Sequence, residues 1–172
     1  FFDTVAGTVV TRLINAGEVS TKGVELDFNA RPTPALTLSG AVAHIKARID
    51  NFNCPPGAAA SCQVNGKPLP FSPDWKAAMQ ASYKWSLANG MGLELGTDYT
   101  WQSEVQYDIA QNPDTIQSAY GIWNASVALN TTNGWRIALH VKNIADKSYS
   151  PWLGRGGNYL AQAVPRDDGR YV

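Results

Sequence analysis

Two histidines, two cysteines and one glycine-rich run are the places where this chain of 172 residues could do chemistry. His44 and His140 lie on separate predicted strands, with no Cys, Asp or Glu at metal-ligand spacing beside them. A zinc-type site needs three or four convergent donors, so these residues read as structural or solvated histidines. The serines have no recognisable His or acidic partner, although spacing leaves open a triad assembled in space. Gly154-Arg155-Gly156-Gly157 opens no helix and so lacks the aligned N–H groups of a phosphate loop. The expectation is no catalytic residue, no metal and no cofactor, with a hydrolase as the minority alternative.

Binding chemistry is better supplied. Tyr107, Asp108, Trp152, Arg155 and Tyr159 fall in or beside the longest segments between predicted strands. An arginine can take a carboxylate or phosphate through two parallel hydrogen bonds, and rings can stack on a flat ligand. These five are the candidate ligand contacts, although loop tips also carry such residues with no ligand. Cys54 and Cys62 bracket Pro-Pro-Gly-Ala-Ala-Ala-Ser in another long segment. A disulfide there would contribute roughly 2.5 kcal/mol to ordering its ring, and an oxidising compartment would favour it over two thiols.

The elements that must position these residues are strands. From Trp75 to Leu87 the chain places Trp75, Ala77, Met79, Ala81, Tyr83, Trp85 and Leu87 on one face, and Lys76, Ala78, Gln80, Ser82, Lys84 and Ser86 on the other. Met91, Leu93, Leu95, Tyr99 and Trp101 repeat the pattern on the return limb, and Asn89-Gly90 suits the positive φ of a tight hairpin. Rings gather towards the two ends of this apolar face, with small and aliphatic residues between them. That banding suits a sheet whose outer face crosses a bilayer, because indole and phenol rings favour the headgroup zones. A soluble β-sandwich shows the same alternation and remains an alternative on the hairpin alone.

The rest of the chain follows suit. Strands are predicted at 8–16, at Lys22–Ala30, from Leu36 to about Ile49, from Met91 through Tyr107, over Tyr120–Asn130 and over Trp135–Lys142. His44, Lys46 and Arg48 take over the apolar parity of the second long strand. A lipid-facing reading therefore needs them above the hydrocarbon, since a mid-bilayer charge costs about 2 to 4 kcal/mol. Glu25, Asp27, Lys76, Gln80, Lys84, Glu94, Asp98, Arg136 and Lys142 lie on the opposite parity and read as a hydrated lining. Connections alternate: short at 31–35, 87–90 and 130–134, long at 50–73, 108–118 and 148–169. Short turns thus collect at one end and long loops at the other, as in an up-and-down outer-membrane barrel. In lipid every backbone donor must be satisfied, which requires the sheet to close.

Composition agrees. Fourteen basic and fourteen acidic residues cancel, which removes bulk attraction to nucleic acid. No apolar run reaches the length of a membrane helix. The chain opens without Met or a leader, and its last residues, Arg170-Tyr171-Val172, read as the start of a strand, so an internal piece of a longer protein is expected.

Three motifs carry a family resemblance. Asn15-Ala16-Gly17-Glu18-Val19-Ser20-Thr21-Lys22-Gly23-Val24-Glu25-Leu26 resembles the "NAG…KGVE(L)" strand of TonB-dependent outer-membrane receptors, and Val141-Lys142-Asn143-Ile144-Ala145-Asp146-Lys147-Ser148-Tyr149 resembles their "V-x-N-L-x-D-K-x-Y" strand. Val164-Pro165-Arg166-Asp167-Asp168-Gly169-Arg170-Tyr171 resembles the "PREPR" approach to their last strand. They occur in the family's order and span nearly the whole chain.

The resemblance implies an all-β, antiparallel, up-and-down transmembrane β-barrel, with residues 1–172 as a C-terminal part of about six or seven strands out of 22. It implies a non-enzymatic receptor in the outer membrane of a Gram-negative bacterium that binds a scarce nutrient, by family habit a ferric siderophore. Its partners would be outer-membrane lipid, the small-molecule ligand and the TonB complex, reached through an N-terminal plug. This sequence contains neither plug nor TonB box and stops before the family's terminal aromatic residue, so the piece alone is expected neither to transport nor to insert. A passive porin, a barrel enzyme and a soluble carbohydrate-binding sandwich are the alternatives.

Overall fold

In a computed structural model, residues 2–5, 8–11, 17–54, 62–156, 158–165 and 169 are described. The short strands β1 (Phe2–Val5) and β2 (Thr8–Thr11) pair with each other. Then come β3 (Gly17–Ala30), β4 (Leu36–Phe52), β5 (Trp75–Ser86) and β6 (Gly92–Gln102). Two-residue strands β7 (Val105–Gln106) and β8 (Ile116–Gln117) pair with each other, and β9 (Tyr120–Asn130) and β10 (Arg136–Val141) follow. A hairpin of β11 (Trp152–Gly156) and β12 (Tyr159–Ala163) comes last.

One six-stranded antiparallel sheet, in the order β10-β9-β6-β5-β4-β3, dominates the molecule. Every neighbour in it is also the next long strand along the chain, which is up-and-down topology. The turns are tight where positive φ is available: Asn89 and Gly90 take φ of 65° and 77°, and Gly134 takes 81°. Eleven or twelve residues in β5, β6 and β9 suffice to cross a bilayer when tilted.

The register carries one face intact across all six strands. Leu26 pairs with Val42, Val42 with Ala77, Ala77 with Trp101; Tyr83 pairs with Leu95, Leu95 with Val127, and Val127 with Leu139. Because side chains alternate with period two, the whole apolar set lies on one side. That side is not a core. Val24 is 71% exposed, Met79 58%, Leu95 40% and Ile137 64%, and no second layer of the described residues covers them. An apolar face of this size, bare in an aqueous sense and edged by Trp75, Trp85, Trp101 and Trp135, is a lipid-facing wall, and a two-layer soluble sandwich is ruled out.

Even the polar atoms of the wall are consistent with lipid. Thr97 stands on it, accepts a hydrogen bond from the Trp123 indole N–H at 2.6 Å, and donates to the Asn124 carbonyl at 2.9 Å. Both groups are thereby satisfied where no water would serve them. The opposite face holds a polar ladder: Arg136 donates to Glu94 at 3.0 Å and to Asn130 at 3.1 Å, and Asn124 donates to Asp98 at 2.7 Å.

Some expected boundaries move. The strand expected to run on through Tyr107 stops at Gln102, because the Ser103 hydroxyl accepts from the Trp75 N–H while the Ser103 N–H donates to the Trp75 carbonyl. Both edges are then occupied, and the chain turns. The segment 148–169, expected as a loop, contains the β11–β12 hairpin, and 50–73 begins with three more residues of β4, Asp50 to Phe52. Of the strand expected at 8–16, only 8–11 lies within the described residues.

Candidate functional site

The long connections all leave the sheet at one end, and they are knitted together there. β4 outruns β5: His44 pairs with Trp75, and the residues beyond pair with β3 on one edge and with the following loop on the other. Leu69 N–H donates to the Ala47 carbonyl, Ile49 N–H to Lys67 and Gly66 N–H to Ile49, so the loop takes over the edge that β5 leaves. Ala47, Ile49 and Val64 are buried beneath it. Arg48 grips Asp74 with both terminal guanidinium nitrogens, Nη1 and Nη2, each at 3.0 Å. Those hydrogen bonds hold the Asp74 carboxyl below its ordinary range, against a smaller upward push from burial.

The second and third loops interlock through side chains that reach backbone. The Tyr107 hydroxyl donates to the Ser150 carbonyl at 3.0 Å, and the Tyr107 ring packs with Val105 and Leu153 in the one buried apolar cluster of the described residues. Burial raises the Tyr107 phenol above its ordinary value. Thr115, fully buried, donates to Gln106 Oε1 at 2.6 Å, and Gln106 also accepts from the Asp108 N–H. Gln111 crosses to the first loop and donates to the Pro68 carbonyl at 3.0 Å, while Phe71 N–H donates to the Gln106 carbonyl at 2.8 Å. An open cleft of about 460 Å³ with a mixed lining lies between the first two loops, bounded by Lys67, Asp74, Glu104 and Gln111 and by the apolar Pro68, Trp75 and Ile116.

The five candidate contact residues divide. Tyr107 is inside the loop cluster, its ring 5.1 Å from Phe71. Asp108 accepts from the Ala110 N–H at 3.0 Å and so shapes its own turn. Arg155 donates to Asp114 at 2.6 Å and to Asn112 at 3.3 Å, tying the third loop to the second. Trp152 and Tyr159 remain presented outwards on one face of the β11–β12 hairpin, 41% and 69% exposed. Trp152 lies over Gly154 and Tyr159 over Gly156, where a methyl group would overlap either ring. Sequence reasoning missed Gln106, Gln111 and Thr115. Asn112-Pro113-Asp114-Thr115 is a legible turn signal, but nothing local announces that Thr115 is buried.

Cys54 and Cys62 are joined as a disulfide with Cα atoms 5.8 Å apart. His44 stacks on Trp75 with ring centroids 4.1 Å apart, and no group of three or more His, Cys, Asp or Glu that could hold a metal occurs among the described residues. Asn143, at φ 50°, accepts from the Lys147 N–H and donates to the carbonyls of Lys147 and Gly169, so it fastens the end of β10 to the third loop.

Two solved structures share this fold. The ferric yersiniabactin uptake receptor FyuA from Yersinia pestis superposes with a TM-score of 0.75 at 20% identity, covering 91% of this chain and 23% of its own. The siderophore receptor PiuA from Acinetobacter baumannii gives 0.72 at 21% identity, covering 91% and 21%. The chain thus spans under a quarter of the length of either. No curated protein sequence is significantly similar. The model of the TonB-dependent receptor-like β-barrel matches residues 1–144, most of the chain. By that match, and by a sheet whose lipid wall and knitted loops are those of a barrel, the chain belongs to the TonB-dependent receptors.

Proposed function

We propose that this chain is a C-terminal part of the barrel of an outer-membrane receptor that captures a ferric siderophore and imports it with TonB-coupled energy. The observation that carries the reading is the asymmetry of the sheet's two ends, with tight turns at one and a cluster of interlocked loops at the other. A capture surface needs loops held still by contacts that the ligand does not have to supply, because binding energy is otherwise spent on ordering them. Tyr107, Asp108 and Arg155 serve that scaffold, and Trp152 and Tyr159 offer rings to a ligand descending from outside. The two similar structures, a ferric yersiniabactin uptake receptor and a siderophore receptor, support iron as the cargo. A plug and a TonB contact would come from parts of the receptor beyond this chain, and the outer membrane of a Gram-negative bacterium is the corresponding location.

The test is uptake of radiolabelled ferric siderophores by cells carrying the full receptor gene, its deletion, or the gene with Trp152→Ala and Tyr159→Ala together. Deletion should abolish uptake of one siderophore class, and the double substitution should weaken its binding about tenfold or more while barrel assembly persists. Uptake that survives removal of the proton gradient would point to a passive pore instead.

A further inference from the structure

We propose that Asp98 and Asn124, on the polar face of β6 and β9, are positioning residues for ligand capture: through Asn143 they set the third loop, and with it the hairpin that carries Trp152 and Tyr159. The three side chains form one hydrogen-bonded line across the sheet. The Asn124 amide donates to Asp98 Oδ2 at 2.7 Å, and its Oδ1 accepts from the Asn143 N–H at 2.9 Å. Asn143 Nδ2 then donates to the carbonyls of Lys147 at 3.0 Å and Gly169 at 3.1 Å, while its Oδ1 accepts from the Lys147 N–H at 3.0 Å. Lys147 and Gly169 are the two feet of the third loop, so one buried amide clasps both. β6 and β9 are interior strands with a partner on each side, and the contact between Asp98 and Asn124 is a direct cross-strand pair.

The line has a direction. An amide carries donors at one end and an acceptor at the other, and a flip exchanges them. An ionised carboxylate only accepts, so Asp98 selects the NH₂ end of Asn124 and leaves its oxygen for Asn143. The next N–H, that of Ile144, goes to the Trp123 carbonyl at 2.8 Å. Asn143 is thereby held at φ 50°, just past the last residue of β10, with its amide between the loop's two feet. From there to the rings the chain is stiff. Tyr149 stacks on Tyr120 with centroids 4.3 Å apart, the Ser150 N–H donates to Gln117 Oε1 at 2.8 Å, and the Ser150 carbonyl accepts from Tyr107. Trp152 opens β11 two residues on, so a displacement at Lys147 is carried to the rings instead of being absorbed. Holding contact groups in their bound geometry removes an ordering cost from binding. The inference rests on the reading of Trp152 and Tyr159 as ligand contacts.

The full receptor would be prepared with Asn124→Asp, with Asp98→Asn and with both. Its affinity for a ferric tris-catecholate and a ferric tris-hydroxamate would be measured by quenching of tryptophan fluorescence, and hydrogen exchange followed at the Asn143 and Lys147 amides. Asn124→Asp sets two carboxylates against each other and breaks the line, so it should weaken the complex that the parent receptor binds about tenfold and speed exchange at both amides. Asp98→Asn keeps an oxygen that can accept, and should cost no more than about threefold. Together the two substitutions reverse the bond, an amide at 98 donating to a carboxylate at 124 whose other oxygen still meets Asn143, and both readouts should return to within about twofold of the parent. A role in strand packing alone would move thermal stability and leave affinity unchanged. Parent-like affinity for Asn124→Asp, or no recovery in the combined variant, would overturn the proposal. Normal binding by a receptor with Trp152→Ala and Tyr159→Ala would instead overturn the reading of the rings, and is told apart because exchange at Asn143 and Lys147 would still rise and recover along the series.

Discussion

Asn143 shows how much one side chain can hold. Its amide meets three backbone groups, and its positive φ is one that Asn tolerates better than most residues. Asn143→Ala should therefore cost about 3 kcal/mol, the sum of several lost hydrogen bonds and a disfavoured backbone, and hydrogen exchange at the Lys147 amide should accelerate accordingly. Asp74 gives a pH signature. Its carboxyl is depressed below the ordinary 3.8 by Arg48, so the stabilisation is complete above that value and fades as pH falls through the lower, folded one. Acidification below about pH 4 should loosen the first loop, read as faster exchange at the Ile45 amide, which donates to the Asp74 carbonyl. Asp74→Asn should flatten that dependence. The motif around Asn143 was legible in the sequence, but its reason was not, since the carbonyls it serves include one at Gly169.

At the scale of elements, alternation made the long strands readable, because a period of two leaves no choice of face once one large side chain is placed. Leu26, Phe28, Met79, Leu95 and Ile137 fixed the wall in this way. The loops were unreadable for the opposite reason: Gln111 to Pro68, Tyr107 to Ser150 and Arg155 to Asp114 join residues more than forty positions apart, and no local pattern encodes such contacts. Cys54 and Cys62 are the exception, since a pair of cysteines announces a partner. In the exported protein, alkylation without reductant should leave the mass unchanged, and modification of both cysteines would refute the bridge. Reduction should lower the stability of that loop by up to roughly 2.5 kcal/mol while leaving the sheet intact.

At the scale of the whole molecule the decisive feature is that the sheet formed by the described residues is open. Among the described residues β3 and β10 each have a single neighbour in it, so each presents a row of backbone donors and acceptors at its outer edge. Such edges cannot enter hydrocarbon without several kcal/mol per unpaired group, and in water they recruit other chains. The 172-residue polypeptide produced alone should aggregate or be recovered only in denaturant, whereas the full receptor should run as a heat-modifiable band on gels.

The loop ties described above are also lopsided in a way that bears on how such a surface can diversify. The phenol of Tyr107 and the amide of Gln111 each reach for a main-chain oxygen, a group that every residue type provides. The accepting carbonyls at positions 68 and 150 therefore set no side-chain requirement of their own, although Ser150 is buried and its N–H donates to Gln117 Oε1 at 2.8 Å, while the reaching residues cannot be exchanged. A saturation library should find broad tolerance at position 68, small non-proline residues at position 150, and a narrow choice at Tyr107 and Gln111.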